Sequence, residues 1–582
     1  MRRSAVLVLG SVLAVAAATA IAPASAAPMA AATGTSTTAA ASGSQQYVVL
    51  YTSAGASASA RAAIKAAGGT IVSENTEVGF AVVRSGASSF STAVSTSAAV
   101  RGAARDRVIG YAPKDARAKA LTKDDVERLT KDRAAREATG QGGRGQADAA
   151  PAAAPAAEPL ANRQWDMRQI GATPDGSYAV QPGKATVKVG VIDTGVDGTH
   201  PDIAPNFDAA ESHNFVTDLP VIDGPCEYPS CIDPVDHDDD GHGTHVASTI
   251  GSPINGLGIA GVAPNVTLLN LRAGQDSGYF FLAPTIQAIT YAGDIGVDVV
   301  NMSFYTDPWL FNCVNNPADS PAEQTEQRVI RETTQRALDY ARAHGVLPIA
   351  AMGNELTDLG HPTFDDTSPD YPAGAAHERT IDNRCISVPS ESRGVVSVSS
   401  TGPSTRMSYF SNYGTEQTDV SAPGGDAYDS TDETLDPRNL VLAAYPKYDA
   451  EANGDLNPDG TPNNDFVVQD CQGGTCGYYQ YLQGTSMASP HAVGVAALIV
   501  SQYGKRDARH GGLTLNPATT ERILLKTAVD HACPQPRTFT WTRIRPDGSV
   551  ATASAKCEGP ASKNGFYGNG LVNAYAAVTG GH

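Results

Sequence analysis

Short β-type runs alternate with helix-type runs from residue 164 onward, and this alternation constrains the fold more than any other feature. The predicted strands are residues 186–192, 266–271, 297–303, 345–351 and 395–399. Residues 285–293 and 326–344 are predicted helices that lie between them. Strands separated by helices favour a parallel sheet with helices on both faces. We therefore predict an α/β fold for residues 161–582.

Three polar residues follow predicted strands directly. Asp193 ends the first run, Ser303 ends the third, and Asn354 comes shortly after the fourth. Ligands of an open parallel sheet bind beyond the carboxyl ends of its strands. We expect these side chains to lie at one edge of the sheet.

Ser486 begins the most apolar helix predicted in the chain. It lies in the stretch Gly-Thr-Ser-Met-Ala-Ser-Pro-His at residues 484–491, which the apolar run 492–500 continues. This position puts the hydroxyl at the positive end of the helix dipole. An arbitrary serine before a helix is usually only an N-cap. A catalytic role for Ser486 therefore requires partners elsewhere in the chain.

The chain contains a candidate base and a candidate orienting acid for Ser486. A serine hydroxyl becomes a nucleophile when a base takes its proton and a third group orients that base. His242 lies where loop glycines precede a small-residue helix, and Asp193 follows a strand. The order Asp, His, Ser is one of the known chain orders of a catalytic triad.

Residues 191–195, 242–247 and 484–491 resemble the three signature blocks of subtilisin-like serine peptidases. The resemblance implies a serine endopeptidase that hydrolyses peptide bonds through Asp193, His242 and Ser486, with an acyl-enzyme intermediate. It also implies that Asn354 is the side-chain donor to the oxyanion. Protein or peptide substrates are the implied partners, and the chemistry itself requires no cofactor.

The expected substrate-binding residues are Ser303, Phe304, Tyr305, Met352 and Gly353, and the sequence departs from the family pattern at Phe304, Tyr305 and Met352. Phe304 and Tyr305 stand where the family usually has a glycine-bearing strand that pairs with substrate. Met352 replaces a small residue, and an insertion follows the groove strand. We expect a narrowed or reshaped groove, so family preferences for substrate residues cannot be transferred.

Other functions remain open from the sequence. His242 and His245, close to several aspartates, could hold zinc in a metal-dependent hydrolase. Asp193 and Asp276 could form an aspartic dyad, although their flanking sequences are dissimilar. The chain could also be a catalytically inactive subtilisin-like protein retained for binding.

The first 160 residues divide into four segments. Residues 1–26 are a predicted secretory signal peptide, and residues 27–44 are of low complexity. Residues 45–113 predict a small α+β domain of order β-α-β-β-α-β, with residues 88–100 as its second helix and 107–111 as its last strand. Residues 114–160 predict a charged helix and a Gly/Ala/Pro linker.

The small α+β domain resembles the inhibitory prodomain of many subtilisin-like peptidases. We expect it to be an intramolecular inhibitor that is released by cleavage between about residue 113 and residue 165. We also expect a secreted, extracellular product without a membrane anchor.

Charge is distributed unevenly along the chain. Residues 1–150 carry 17 Lys and Arg against 10 Asp and Glu, whereas the remaining residues carry 25 against 51. This contrast predicts electrostatic attraction between the front segment and the rest of the chain. It argues against nucleic acid as a partner.

All eight cysteines lie after residue 225, which fits disulfides in an exported protein. Proximity favours Cys226 with Cys231, Cys471 with Cys476, Cys533 with Cys557, and Cys313 with Cys385. The sequence alone does not decide the pairing, and zinc ligation by the short-spaced pairs is the alternative.

A structural calcium ion is a further expectation. Asp455, Asn457 and Asp459 resemble the opening of an EF-hand loop, but Phe466 stands where that loop needs a glutamate. A solvated acidic turn explains the same residues equally well.

Overall fold

The structure is a computed structural model that describes residues 44–106, 158–372 and 374–580, all within one compact unit. The predicted signal peptide, the low-complexity segment up to residue 43, and residues 107–157 lie outside the described residues. We call residues 44–106 the N-terminal module and residues 158–580 the body.

The N-terminal module has the predicted element order. Its elements are β1 (Gln45–Tyr51), α1 (Ser57–Ala66), β2 (Gly69–Asn75), β3 (Phe80–Ser85), α2 (Phe90–Val94) and β4 (Val100–Asp106). The strands form one antiparallel sheet in the order β2-β3-β1-β4. The second helix was predicted too long, since α2 ends at Val94 and a strand begins at Val100. The predicted strand 107–111 lies outside the described residues.

The composition of β4 explains the boundary error. Its sequence Val-Arg-Gly-Ala-Ala-Arg-Asp contains small residues rather than the branched residues typical of a strand. Gly102 lies so close to the body that a Cβ there would meet a methyl group of Val329 at 2.7 Å. Close packing against the body therefore selected small residues in this strand.

The strands of the body are β5 (Lys188–Ile192), β6 (His213–Asn214), β7 (Thr267–Arg272), β8 (Val299–Met302), β9 (Leu347–Ala351), β10 (Phe364–Asp365), β11 (Arg379–Thr380), β12 (Val396–Thr401), β13 (Val420–Pro423), β14 (Val441–Ala444), β15 (Val467–Gln472), β16 (Thr475–Leu482), β17 (Lys505–Arg506), β18 (Leu513–Thr514), β19 (Thr538–Ile544) and β20 (Val550–Lys556). Seven of them form the main sheet, in the order β13-β12-β9-β8-β5-β7-β6. Every pair in this sheet is parallel. The predicted α/β class is confirmed.

The helices of the body are α3 (Trp165–Gln169), α4 (Ser177–Val180), α5 (His242–Gly251), α6 (Leu282–Asp294), α7 (Pro321–Ala343), α8 (Lys447–Ala452), α9 (Thr485–Tyr503), α10 (Pro517–Thr527) and α11 (Ala574–Thr579). One core packs α5, α9 and α11 against the main sheet, and a second core packs α6 and α7. Helices therefore cover both faces, as predicted. No helix within the described ranges is both long and apolar enough to cross a membrane.

Strand β1 divides its side chains between two cores. Tyr47, Val49 and Tyr51 belong to the core of the N-terminal module itself. Val48 and Leu50 belong to the second core of the body, together with residues of α6 and α7. This period-two alternation lays one face of the module's sheet on the body.

Polar contacts surround this apolar interface. Arg336 donates a 2.8 Å hydrogen bond to the carbonyl oxygen of Tyr51, and Arg101 pairs with Glu332 at 3.0 Å. The Arg101 side chain is 58% exposed, and exposed ion pairs contribute little. Among the described residues, apolar burial therefore holds the module more firmly than the charge contrast does.

All eight cysteines form disulfides, in the pairing that proximity favours. This excludes the zinc alternative for the short-spaced pairs. The bridge between Cys313 and Cys385 spans 72 residues, whereas Cys226–Cys231 and Cys471–Cys476 each close a loop of 5.

Candidate active site

Three neighbouring strands deliver polar residues to one edge of the main sheet. β8 pairs with β5 on one side and with β9 on the other. Asp193 follows β5, Ser303 follows β8, and Asn354 lies three residues beyond β9. Because parallel strands end on the same side, the three residues converge on one edge.

Asp193 and His242 form a buried hydrogen-bonded pair. The Nδ1 atom of His242 lies 2.7 Å from Oδ1 of Asp193, and the Asp193 side chain is fully buried. The same Oδ1 accepts a hydrogen bond from the backbone N–H of Thr194. Burial raises the pKa of Asp193, while the neighbouring imidazole and the N–H lower it.

Asp238 locks this pair in place, a role that the sequence analysis missed. Its Oδ1 accepts from the Thr194 hydroxyl, and its Oδ2 accepts from the backbone and hydroxyl of Thr244. The carboxylate thus ties the loop after β5 to the first turn of α5, which begins at His242. The sequence feature that could have indicated this role is the position of Asp238 in a run of aspartates shortly before His242.

Ser486 lies in the first turn of α9, and its hydroxyl is 3.3 Å from the carbonyl oxygen of Ser303. The Ser303 hydroxyl donates to the carbonyl oxygen of Ser486 and contacts the Ser489 hydroxyl, 2.9 Å away in each case. Asn301 bonds to both Ser303 and Ser489. This buried neutral network joins β8 to the start of α9.

Asn354 is held by its oxygen end. Oδ1 accepts from the backbone N–H of Thr485 at 2.9 Å and from its hydroxyl at 3.0 Å. The Thr485 hydroxyl also accepts from the backbone N–H of Gly353. Because Oδ1 is engaged, the Nδ2 end is the donor that Asn354 can offer to another acceptor. Thr485 was also missed, although it adjoins Ser486 in sequence.

The expected groove residues are only partly brought together. Ser303, Phe304, Tyr305 and Gly353 line one cleft with Asn354, Thr485 and Ser486. Met352 does not line it, since its side chain is buried in the cluster behind the cleft, with Leu310 and Leu359. Methionine suits such a cluster because its flexible, unbranched side chain fills irregular apolar space.

The other histidines are structural, as predicted. Nε2 of His245 lies 3.0 Å from the Gln480 carbonyl oxygen and 3.2 Å from that of Val441, so its N–H donates there. His491 pairs with buried Asp166, and His200 bonds to the Tyr478 carbonyl. Burial lowers the pKa of His200 to about 4.

Several acidic side chains surround the buried Arg272. Arg272 pairs with Asp233 and Asp276 and lies 3.7 Å from Asp218. Within the described ranges, the side chains close enough to share a cation are Asp218, Glu227 and Asp276, and Asp233, Asp239 and Asp276. Neither group contains His242 or His245. In an aspartic dyad, Asp276 would pair with a second carboxyl group. Here its partner is the guanidinium group of Arg272.

The predicted calcium ligands take part in local hydrogen bonds. Asp455 accepts from Tyr445 and Asn464, Asn457 donates to Thr461, and Asp459 accepts from Thr461. These bonds are those of a stable turn. Calcium binding by this loop stays a prediction.

Comparison with known proteins adds independent evidence. The sequence profile described as "Subtilase family" matches residues 184–570. Fervidolysin of Fervidobacterium pennivorans is 28% identical over 60% of this chain and 39% of its own length. A thermophilic serine proteinase of Bacillus sp. (strain AK1) is 29% identical over 56% of this chain and 55% of its own. The chain thus spans about two fifths to somewhat over half of these two relatives.

Solved structures share the fold at low sequence identity. The epidermin leader peptide processing serine protease from Staphylococcus aureus superposes with a TM-score of 0.57 at 21% identity, covering 92% of this chain and 98% of that one. Fervidolysin, described as a keratinolytic enzyme related to subtilisin, gives 0.53 at 21%, covering 92% and 61%. The family match extends over more than half of the sequence, from β5 to the loop before α11, and we conclude that the chain belongs to the subtilase family.

Proposed function

We propose that the protein is a secreted serine endopeptidase that hydrolyses peptide bonds through Asp193, His242 and Ser486. The observation that carries the proposal is the buried 2.7 Å pair of Asp193 and His242. Asp193 follows β5, and the neighbouring strand β8 leads to Ser303, which shares a cleft with Ser486 and Asn354. α5 and α9, which begin at His242 and Thr485, pack in the same core. Family membership supports the same assignment.

In the proposed mechanism, the Ser486 oxygen attacks the peptide carbonyl carbon while Nε2 of His242 takes the hydroxyl proton. Asp193 accepts from Nδ1–H, which fixes the tautomer and stabilises the imidazolium. His242 then gives the proton to the leaving nitrogen as the C–N bond breaks, and an ester to Ser486 remains. Water repeats the sequence, so the acid is released and Ser486 regains its proton.

The charge that develops on the carbonyl oxygen needs donors already in position. We assign this role to Nδ2 of Asn354 and the backbone N–H of Ser486. Thr485 positions Asn354 by engaging its oxygen. Loss of one such donor costs about a hundred- to a thousandfold in turnover.

The same proposal includes a zymogen. The N-terminal module would act as an intramolecular inhibitor that is cut from the body between about residue 113 and residue 165. The packing of its sheet face on α6 and α7 supports this role. N-terminal sequencing of active protein should yield a start within that interval, and an intact chain in active enzyme would contradict it.

The decisive experiment replaces the nucleophile. Ser486→Ala should abolish hydrolysis of denatured casein and of fluorogenic peptides, and it should also stop release of the module. Ser501→Ala removes a buried hydroxyl from the far end of the same helix, and we expect it to retain normal turnover. Normal turnover in Ser486→Ala would refute the assignment.

A fluorophosphonate probe separates the competing functions. An activated Ser486 should be labelled, whereas neither a metal-dependent hydrolase nor an inactive binding protein should react at this residue. Loss of hydrolysis with a chelator, without labelling, would favour the metal enzyme. Absence of both labelling and hydrolysis would favour the binding protein.

A further inference from the structure

The cleft beside Ser486 and Asn354 is almost filled by the protein's own side chains. Besides Ser486, Asn354 and Thr485, the residues that line it are Ser303, Phe304, Tyr305, Leu310, Ala351, Gly353 and Ser387. The cavity volume within it that a water-sized sphere can reach is about 20 Å³. A cavity needs roughly 10–15 Å³ on this measure to hold one water molecule.

Phe304 lines the cleft, and its ring is held in place by a neighbouring aromatic ring. Its ring stacks on Phe280 with centroids 4.1 Å apart and planes only 3° from parallel, and it is 8% exposed. The Tyr305 hydroxyl donates a 2.7 Å hydrogen bond to Asp370. Both side chains therefore have partners outside the cleft that hold them in its wall.

Leu310 belongs to the insertion after β8 and contributes to the inner part of the cleft. It packs in a cluster with Phe311, Met352 and Leu359. The disulfide between Cys313 and Cys385 belongs to the same cluster, and Asn312 pairs by backbone hydrogen bonds with Ile386. The segment that contains Ser387 is thus tied covalently to the insertion that contains Leu310.

We propose that this cleft receives the substrate side chain immediately before the scissile bond and admits only Gly, Ala or Ser there. This inference rests on the proposed peptidase function and specifies its substrate class. A space of about one water molecule accommodates a hydrogen, a methyl or a hydroxymethyl group. Leu310 lines the cleft and also packs in the cluster beside it, so truncating Leu310 should enlarge the cleft.

The cost of a larger side chain follows from the packing. Each additional methylene group changes discrimination by about 10- to 200-fold in a well-packed pocket. Displacing Phe304 or Leu310 would also disturb the Phe280 stack and the disulfide-bound cluster. We expect kcat/KM for a peptide with Ala before the bond to exceed that for the matching Phe peptide by at least about a hundredfold.

The test uses the active enzyme that is obtained by expressing the full-length chain. Its substrates are peptides that differ only in the residue before the cleaved bond, which is Gly, Ala, Ser, Leu or Phe. Leu310→Ala should raise the ratio of kcat/KM for the Leu peptide to kcat/KM for the Ala peptide by about tenfold or more. Leu359→Ala is the matched control, since it truncates a leucine of the same cluster that does not line the cleft. It should leave the ranking of the peptides unchanged.

The outcomes separate the two proposals. Titration with a fluorophosphonate gives the concentration of active sites in each variant, so a loss of folded enzyme is not mistaken for altered selectivity. Wild-type enzyme that cleaves the Phe or Leu peptide as well as the Ala peptide would overturn the small-residue proposal and leave the peptidase function intact. An unlabelled wild-type enzyme that cleaves no peptide would refute the peptidase function itself.

Discussion

The two faces of the main sheet are covered in different ways. On one face, α9 is buried from Thr485 to Ser501, with α5, α10 and α11 packed around it. On the other face, α6 and α7 pack on the sheet, but the N-terminal module covers part of their outer side. All the helices that cover the first face belong to the body. The outer side of α6 and α7 is covered by the N-terminal module, a segment that we propose is removed.

This difference assigns separate tasks to the two faces. The face of α5 and α9 carries His242 and Ser486, and its covering does not depend on processing. The face of α6 and α7 needs no catalytic side chain, so it can lose its cover without disturbing the site. Under the processing that we propose, one side of the fold would be exposed while the geometry of the other is retained.

The largest loss of stability should come from a cavity in the core that packs α5 and α9 on the main sheet. Leu498 is fully buried in the core around α9. Leu498→Ala should lower the free energy of unfolding by about 2–5 kcal/mol, in both the full-length chain and the processed body. Denaturant titration in the Ser486→Ala background measures the former, and titration of inhibitor-blocked enzyme measures the latter. A loss confined to one form would break the proposed contrast.

A matched truncation on the other face should act more locally. Leu50 is fully buried between the module and the helices α6 and α7. In full-length Ser486→Ala protein, Leu50→Ala should cost about 2 kcal/mol, the low end of the range for leucine, because the docked module can readjust. Hydrogen exchange should accelerate at α6 and α7 and stay unchanged at α9. Equal acceleration at α9 would show that the two faces are not independent.

The smallest effect concerns Asp106 at the end of β4. Its carboxylate accepts from the backbone N–H of Ala283 in the first turn of α6 and from the Gln46 amide. Burial raises the pKa of Asp106 above its ordinary value of 3.8, against these two hydrogen bonds. The folded state therefore holds this proton more tightly than the unfolded chain does.

The sign of the pH dependence follows from that raised pKa. The stability contributed by protonated Asp106 is complete below pH 3.8 and is lost as pH rises through the folded pKa. Comparing unfolding of Asp106→Asn and its parent, both carrying Ser486→Ala, should show the parent losing stability relative to the variant as pH rises. A constant difference across pH would exclude titration of Asp106 in the folded protein.

Local patterns were sufficient for most strands of the main sheet and for two helices that pack on it. The strands β5, β7, β8, β9 and β12 and the helices α6 and α7 were predicted because branched apolar runs and amphipathic helices signal themselves over several residues. β4 was not predicted because it contains small residues, and one of them, Gly102, packs against Val329, which is far away in sequence. No local pattern carries that information.

The same limit applies to the site. Asp193, His242, Ser486 and Asn354 lie in recognisable blocks, so they could be proposed from sequence. The supporting residues could not, because their roles are hydrogen bonds across long separations. Asp238 is 44 residues from Thr194, and Thr485 is 131 from Asn354.

The sequence by itself determined the α/β class, the family and the identity of the candidate catalytic residues, because each depends on periodicity or on short runs of adjacent residues. Only the tertiary structure decided how wide the cleft is, which residues lock the reacting groups, and which face the N-terminal module covers. Those properties arise from contacts between segments far apart in the chain, as when Leu310 and Ser387 meet beside Ser486.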